Sequence, residues 1–402
     1  MPDQPKLNRT LTLPLVALYG LGVTVGAGIY VLIGETAALA GAHVPAAFVI
    51  AALVVSFTAF SYAELTTRMP VSAGEAAYVE AGLNSVWLGR LAGLAVAVSG
   101  VVSAAAVAIG AGGYLAGLTG WPAPLLTAGV VLTMGLIAWW GITQSVAIAA
   151  TITVIELLGL GWVVFWGFGV VEPAGVSLGE MIPPLSGPHW AGIGAASLLA
   201  FFAFIGFEDM VNVAEEVKDP RHTLPRAIAI TLVVATLLYV AVATAVLFAV
   251  PVEELAGSQA PLMLVFRDEP PVFQMGFAAV ATVATVNGVL IQIVMASRVV
   301  YGMADRGQLP AVLARVSPVT HTPSSATMLV VGTIFVLSSF FPIGDLAGGT
   351  SQIVLSVFVL VNLSLAALKL RNMAPGDAFV VPVIVPILGA ASSIALLVTP
   401  LL

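Results

Sequence analysis

Glu156 is the residue whose setting most demands an explanation. It lies in Thr151–Ile152–Thr153–Val154–Ile155–Glu156–Leu157–Leu158–Gly159, near the middle of a long apolar run. A carboxylate in such surroundings is expensive to ionise unless it has a partner. Three chemistries fit: a proton taken up and released, a counter-charge for a bound ammonium, or a hydrogen bond that ties one helix to another. Two glycine-marked segments carry the other signals. Leu18 to Tyr30 holds Gly20, Gly22, Gly26 and Gly28. The spacing of Gly22 and Gly26 suits close helix packing. The tight pair at 26 and 28 also suits a local break, whose bare N–H and C=O groups are tolerated in a membrane only where they line a cavity or bind something. The second segment, Leu199 to Met210, is rich in phenylalanine, holds Gly206 in mid-run, and meets Glu208 and Asp209 before the apolar run has ended. Those acids either mark the end of a span or follow a break over 204–207 that leads into a short helix.

The elements that must position these residues follow from the scarcity of charge. Charged residues are 8% of the 402 and apolar residues 60%, too much apolar surface for a soluble domain to hide. The apolar residues fall in about eleven blocks of roughly twenty, each long enough at 1.5 Å per residue to cross a hydrocarbon core of about 30 Å. The blocks at 88–118 and 272–300 are long, but neither makes two separate spans. Strands of about ten alternating residues, as a membrane barrel needs, are missing. The expected fold is an all-α polytopic membrane protein in the cell membrane. With the N-terminus in the cytoplasm, every lysine and arginine except Arg267 falls inside or at inner helix ends. An odd number of spans then puts the C-terminus outside, and a chain ending in an apolar run leaves room for a further helix. The first block is too long and too glycine-broken for a cleaved signal peptide. The absence of cysteine excludes disulfides, thiol chemistry and cysteine-ligated metals. No long polar segment provides an appended soluble domain, and no basic patch suits nucleic acid.

The two glycine-marked segments fall in blocks one and six, so blocks 1–5 and 6–10 read as two copies of opposite topology. Paired broken spans at equivalent places point to a binding site near the midplane. The chain also resembles the amino acid–polyamine–organocation (APC) superfamily of permeases. The resemblance rests on Gly22–Val23–Thr24–Val25–Gly26–Ala27–Gly28–Ile29–Tyr30, and on Phe204–Ile205–Gly206–Phe207–Glu208 continuing through Ala214–Arg221 and Leu224–Ile228. It rests also on Ser297–Pro310 and on Pro70–Tyr78. It spreads over nearly the whole chain, and is closest to bacterial members of the cationic and neutral amino acid transporter type. It implies a 5+5 inverted-repeat (LeuT-like) core with helices 1 and 6 broken. The first repeat is expected over 1–170, the second over 171–369, and a loop with an additional helix over 370–402. Known members commonly have twelve helices, and this chain departs from them at its C-terminus.

The resemblance implies a secondary carrier of amino acids. Such a substrate brings a carboxylate, which suits the N–H groups of a helix start, here Thr24, Val25, Gly26, Ala27 and Gly28. Its ammonium suits the carbonyls of an unwound turn, here Ala203, Phe204, Ile205 and Gly206. Phe204 is expected to swing over the substrate and occlude it. Val102, Ser103 and Ala106 in block three and Asn287 in block eight are candidates to meet its side chain. Some proton-coupled members carry a lysine where this chain has Glu156, so a lysine mechanism does not transfer. Thr282, Thr285 and Ser297 keep sodium coupling open. Glu64, Glu215 and Glu216 are expected to pair with Arg68, Lys218, Arg221 or Arg226 at the inner face, and the 214–226 loop, stiffened by Pro220 and Pro225, to latch an inward gate. Asp305 and Arg306 would join that network. The four histidines fit no metal-ligand spacing and no nucleotide motif is present, so no enzyme chemistry and no cofactor are expected. The expected activity is proton-coupled symport of neutral or small amino acids, with cationic substrates left open because Glu156 or Glu208 could reach them if exposed to the pocket. Exchange, sodium symport, a channel and a non-transporting sensor remain alternatives.

Overall fold

The computed structural model describes residues 11–399, apart from 71–73, 141–145, 186, 259, 306, 316, 318–322 and 372–375. Its α-helices are α1 (Leu13–Thr24), α2 (Ala27–Ala40), α3 (Val44–Arg68), α4 (Gly74–Leu83), α5 (Val86–Thr119), α6 (Ala123–Trp140) and α7 (Val146–Gly169). They continue with α8 (His189–Phe202), α9 (Pro220–Ala249), α10 (Val252–Ala256), α11 (Pro271–Asp305), α12 (Ser324–Phe340), α13 (Ile343–Leu370) and α14 (Ile384–Val398). The chain is a multi-pass, all-α membrane protein. Among the described residues, seven stretches are long and apolar enough to cross a bilayer: Gly28–Arg68, Val86–Thr119, Ile152–Gly169, His189–Val211, Pro220–Ala249, Pro271–Ala304 and Ile343–Leu370. Four apolar helices are shorter, Leu13–Thr24, Ala123–Trp139, Ser324–Phe340 and Ile384–Val398. Leu132 on α6, Leu158 on α7, Leu237 on α9 and Met328 on α12 are each more than half exposed. Outward apolar faces of this kind are at home against lipid tails and not against water.

The two long blocks form single helices, α5 with 34 residues and α11 with 35, about 50 Å each at 1.5 Å per residue. They pack against each other, and α13 packs against α5. Small residues of α5 let its neighbours approach closely: Gly100 lies against Met295 and Ala296 of α11, Gly110 against Val31 of α2 and Gly112 against Thr127 of α6. Small side chains provide little apolar area here, so contact distance and dispersion supply the adhesion.

Both expected breaks are present. α1 ends at Thr24 and α2 begins at Ala27, with Val25 and Gly26 between them. α8 ends at Phe202, and Ala203 to Gly206 form a turn. The segment after that turn is a short helix of 3-10 type, Phe207–Glu216. Asp219, in the left-handed region, leads directly into Pro220 at the start of α9. The expected 214–226 loop is therefore largely helical: a proline at the first helical position loses only an N–H that would be unpaired anyway. Pro225 lies within α9 near its start.

One end of the bundle is closed by polar groups. Glu64, at the end of α3, is buried and bonds Arg68 at 2.7 Å, Lys369 of α13 at 2.7 Å and the Val381 amide at 2.8 Å. One of its two arginine and lysine partners, Arg68, is among those the sequence names. Deeper in, Asn362 of α13 accepts from Ser61 at 2.6 Å and donates to Thr58 at 2.8 Å, while Gly389 of α14 packs over its amide. Glu64→Ala would remove the buried carboxylate that Arg68, Lys369 and the Val381 amide share, and is expected to cost about 3–5 kcal/mol. Thermal unfolding of the purified protein checks this, and an unchanged midpoint would mean that the cluster is effectively solvated.

Candidate functional site

The two breaks meet. Gly28, in the first turn of α2, lies against Ala203, so near that a Cβ on Gly28 would stand 2.5 Å from the Ala203 Cα. Gly206 has φ of +124° and faces Val23 at the end of α1. A Cβ on Gly26 would meet the Gly22 and Val23 carbonyl oxygens at the end of α1, at 3.4 and 3.7 Å, so this glycine serves the break itself. Gly22 is a packing glycine, set against Thr153 of α7. Of the residues expected to hold a ligand, Thr24, Val25, Gly26 and Gly28 thus lie beside Ala203, Phe204, Ile205 and Gly206. The side chain of Ala27 lies outside the described residues.

A residue that the sequence reading missed joins the two turns. The hydroxyl of Tyr239, on α9, lies 2.7 Å from both the Thr24 and the Ala203 carbonyl oxygens. One O–H serves two acceptors left over by two helix ends. The signal was legible as a lone phenol in the middle of an apolar block. Phe204 is fully buried and its ring meets Tyr239 edge-on, with centroids 5.0 Å apart. Tyr239→Phe would leave a buried carbonyl without its donor, an expected loss of about 1–3 kcal/mol by thermal unfolding. No change in the midpoint would show that this hydroxyl does not hold the turns together.

Glu156 sits on α7 between Thr153 and Gly159, which are one turn away on the same face. Thr153 contacts Gly22 before the break, and Gly159 lies near the Tyr30 hydroxyl after it, so Glu156 is level with the break. It is 1% exposed, and neither carboxylate oxygen has a hydrogen-bond partner. Tyr30 of α2 does bond to α7 here, but to the main-chain carbonyl of Glu156 at 2.9 Å. The Tyr30 carbonyl in turn accepts from Tyr114 of α5. Thr24 Oγ1 is likewise buried and unpartnered. An unpaired carboxylate and an unpaired hydroxyl beside a helix break are an arrangement able to take up a proton or a cation.

On the other side of the 203–206 turn lies a small polar cavity, with about 20 Å³ free to a water-sized sphere. Its wall includes Tyr62, Glu75, Ser103, Ile205, Glu208 and Asp209. Glu208 accepts from the Gly206 amide at 2.9 Å, and Glu75 from the Tyr62 hydroxyl at 3.3 Å. Burial pushes the Glu75 carboxyl above the usual carboxylate range, partly offset by its own amide and the Tyr62 hydroxyl. Ser103, one of the side-chain candidates, is in this wall; Val102 and Asn287 are half-buried elsewhere and Ala106 is buried. Thr285 and Ser297 bond back to their own helix, whereas Thr282 Oγ1 is buried and unpartnered.

At the proposed gate, Arg226 lies on an exposed face of α9 and makes no ion pair among the described residues. Arg221 pairs instead with Asp377 at 3.0 Å. The side chains of Glu215, Glu216 and Asp305, and Arg306 as a whole, lie outside the described residues.

Comparison with known proteins agrees along nearly the whole chain. A profile of the family described as amino acid permease matches residues 11–402. An uncharacterized transporter of Mycobacterium tuberculosis is 33% identical over 384 residues, covering 93% of this chain and 83% of the relative. The branched-chain amino acid permease of Bacillus subtilis is 28% identical over 410 residues, covering 96% of this chain and 87% of that protein. Human cationic amino acid transporter 4 is 28% identical over 395 residues, covering 92% of this chain and 61% of that protein.

Proposed function

This chain belongs to the amino acid permease family, and from that membership we propose that it carries amino acids by alternating access around the paired breaks, driven by protons through Glu156. It is a membrane transporter and not an enzyme. The observation that carries the proposal is the meeting of the two breaks, with Gly28 against Ala203 and Tyr239 reaching both. In a membrane, backbone freed at helix ends is tolerated where it is buried in protein or lines a cavity, and two such ends meeting in mid-span suit a ligand site. The α2 start offers N–H groups from Gly26 to Gly28 for the substrate carboxylate, and the 203–206 turn offers carbonyls for its ammonium. Phe204, buried against Tyr239, is the side chain that occludes the ligand.

The architecture we assign is the 5+5 inverted repeat with eleven spans, the N-terminus in the cytoplasm, and repeat boundaries at 1–170 and 171–369. The pairing of α1–α2 with α8 and of α5 with α11 supports it, since the breaks and the longest helices recur at matching places. Glu215, Glu216 and Arg226 remain our candidates for the inner gate. Proton coupling is favoured over sodium coupling by the bare Glu156 carboxylate.

The test is radiolabelled amino acid uptake into proteoliposomes under proton and sodium gradients imposed separately. Accumulation with the proton gradient alone establishes the symporter. Accumulation that requires sodium would replace it with a sodium carrier, and flux only against internal substrate with an exchanger.

A further inference from the structure

His43 and His189 are far apart in the sequence and meet in the fold. His43 closes a single 3-10 turn, Gly41–His43, between α2 and α3, and His189 is the first residue of α8. Their imidazole rings stand edge to face, with centroids 5.4 Å apart and planes at 81°. The meeting lies at the opposite end of α3 from Glu64, where α2 ends and α8 begins. Two contacts hold the backbones behind the rings. Gly192 of α8 packs directly on the Leu39 carbonyl of α2. The Trp190 indole donates to the Pro184 carbonyl at 2.9 Å, which ties the loop before α8 to its first turn.

The two rings have the chemistry of a ligand pair. The half-buried His43 places its Nδ1 3.4 Å from the Met181 carbonyl oxygen. A carbonyl only accepts, so Nδ1 carries the proton and Nε2 keeps a free lone pair. Metal-bound histidines almost always use their second nitrogen in this way. His189 is exposed and makes no hydrogen bond or ion pair among the described residues. The ring separation fits as well. Two imidazoles on one tetrahedral ion, with Zn–N of about 2.0–2.1 Å, place their centroids about 5 Å apart. Among the described residues no third histidine or acid joins the two, so solvent would fill the remaining positions.

We propose that His43 and His189 together bind a transition-metal ion of the zinc class, and that the bound ion bridges the end of α2 to the start of α8. Imidazole suits zinc, copper and nickel, whereas magnesium and calcium take oxygen ligands. Two protein ligands are half the set of a closed structural site, so zinc is expected to bind with a Kd on the order of 10 μM. α2 begins at the first break and α8 ends at the second, so the ion joins the far ends of the two helices that carry the paired turns. The site lies away from those turns and needs no substrate, so it stands or falls independently of the carrier reading. Spacing along the chain does not reveal the pair, because only the packing of α2 on α8 creates it.

The experiment uses the full chain purified in detergent, with any affinity tag removed. Calorimetry and thermal unfolding compare zinc chloride with magnesium chloride. Zinc is expected to bind and to raise the unfolding midpoint, as a ligand of the folded state must, where magnesium does neither. His43→Gln and His189→Gln should each weaken zinc binding by at least about tenfold, the least that loss of even an outer-shell partner costs. Dependence on both side chains is what a bridging ion requires. His189 is exposed, so its variant is expected to fold and carries the test if the His43 variant does not. His222→Gln is the control, since His222 pairs with Asp219 at 2.8 Å before α9 and offers zinc a competing place. Zinc affinity unchanged in His189→Gln would overturn the site, as would a midpoint raised equally by magnesium. Loss of binding in His222→Gln alone would overturn it in favour of the Asp219–His222 pair.

Discussion

Glu156→Gln is expected to abolish proton-driven accumulation while sparing exchange of substrate across the membrane. Glutamine has the shape of the protonated acid and cannot take up or release the proton. The wild-type carboxylate is 1% exposed with both oxygens unpartnered, so the protein holds it without a hydrogen bond that a glutamine would be needed to replace. Helix packing at Thr153 and Gly159, and the Tyr30 bond to the main chain, do not involve the carboxylate and should survive. Concentrative uptake should fall by a factor on the order of 100, the lower end of what a positioned proton-transfer group supplies. Counterflow separates the readings. If Glu156 instead balances the substrate ammonium, substrate binding and counterflow weaken together in the variant. If proton-driven accumulation persists at the wild-type level, Glu156 is not the coupling group.

Gly206→Ala is expected to be the most damaging single methyl that can be added near the site. The backbone there has φ of +124°, outside the range of L side chains, which costs about 1–3 kcal/mol to impose. The new Cβ would also stand 2.7 Å from Val23 Cγ1 and 2.9 Å from the Val23 carbonyl group. Main chain cannot rotate away as a side chain can, so α1 and the 203–206 turn must separate. Separation also breaks the shared contact with Tyr239. Uptake and counterflow should both be lost, and the unfolding midpoint should fall. Gly129→Ala on α6 is the control. No atom lies within 4 Å of its added methyl, and helix propensity favours alanine by up to about 1 kcal/mol. A Gly206→Ala protein that transports as well as this control would remove the paired turns from the mechanism.

These expected results depend on two kinds of information. The blocks, their helical character, the glycine breaks at 26 and 206, and the solitary Glu156 were all legible in the sequence. Each depends on local composition: apolar runs must be helices in lipid, and a buried charge or a glycine in mid-run stands out against its neighbours. The family resemblance was legible for the same reason, through short motifs distributed along the chain. The 3-10 geometry after Gly206 and the helical start at Pro220 were not, because element boundaries depend on how each end is packed and capped.

Partners across the fold were settled only by tertiary structure. Tyr239 is 36 residues from Ala203 and 215 from Thr24, yet its hydroxyl reaches both carbonyls. Asn362 finds Thr58 across 304 residues, and Lys369 joins Glu64 from another helix. Glu75, a residue of an inter-block helix, shares a cavity with Glu208 and Asp209. A polar group in an apolar helix announces that it needs a partner, since leaving it unpaired is costly. Which partner it finds depends on helix rotation and depth, which the packing of the whole bundle sets. Composition fixes the need, and only the assembled bundle decides how it is met.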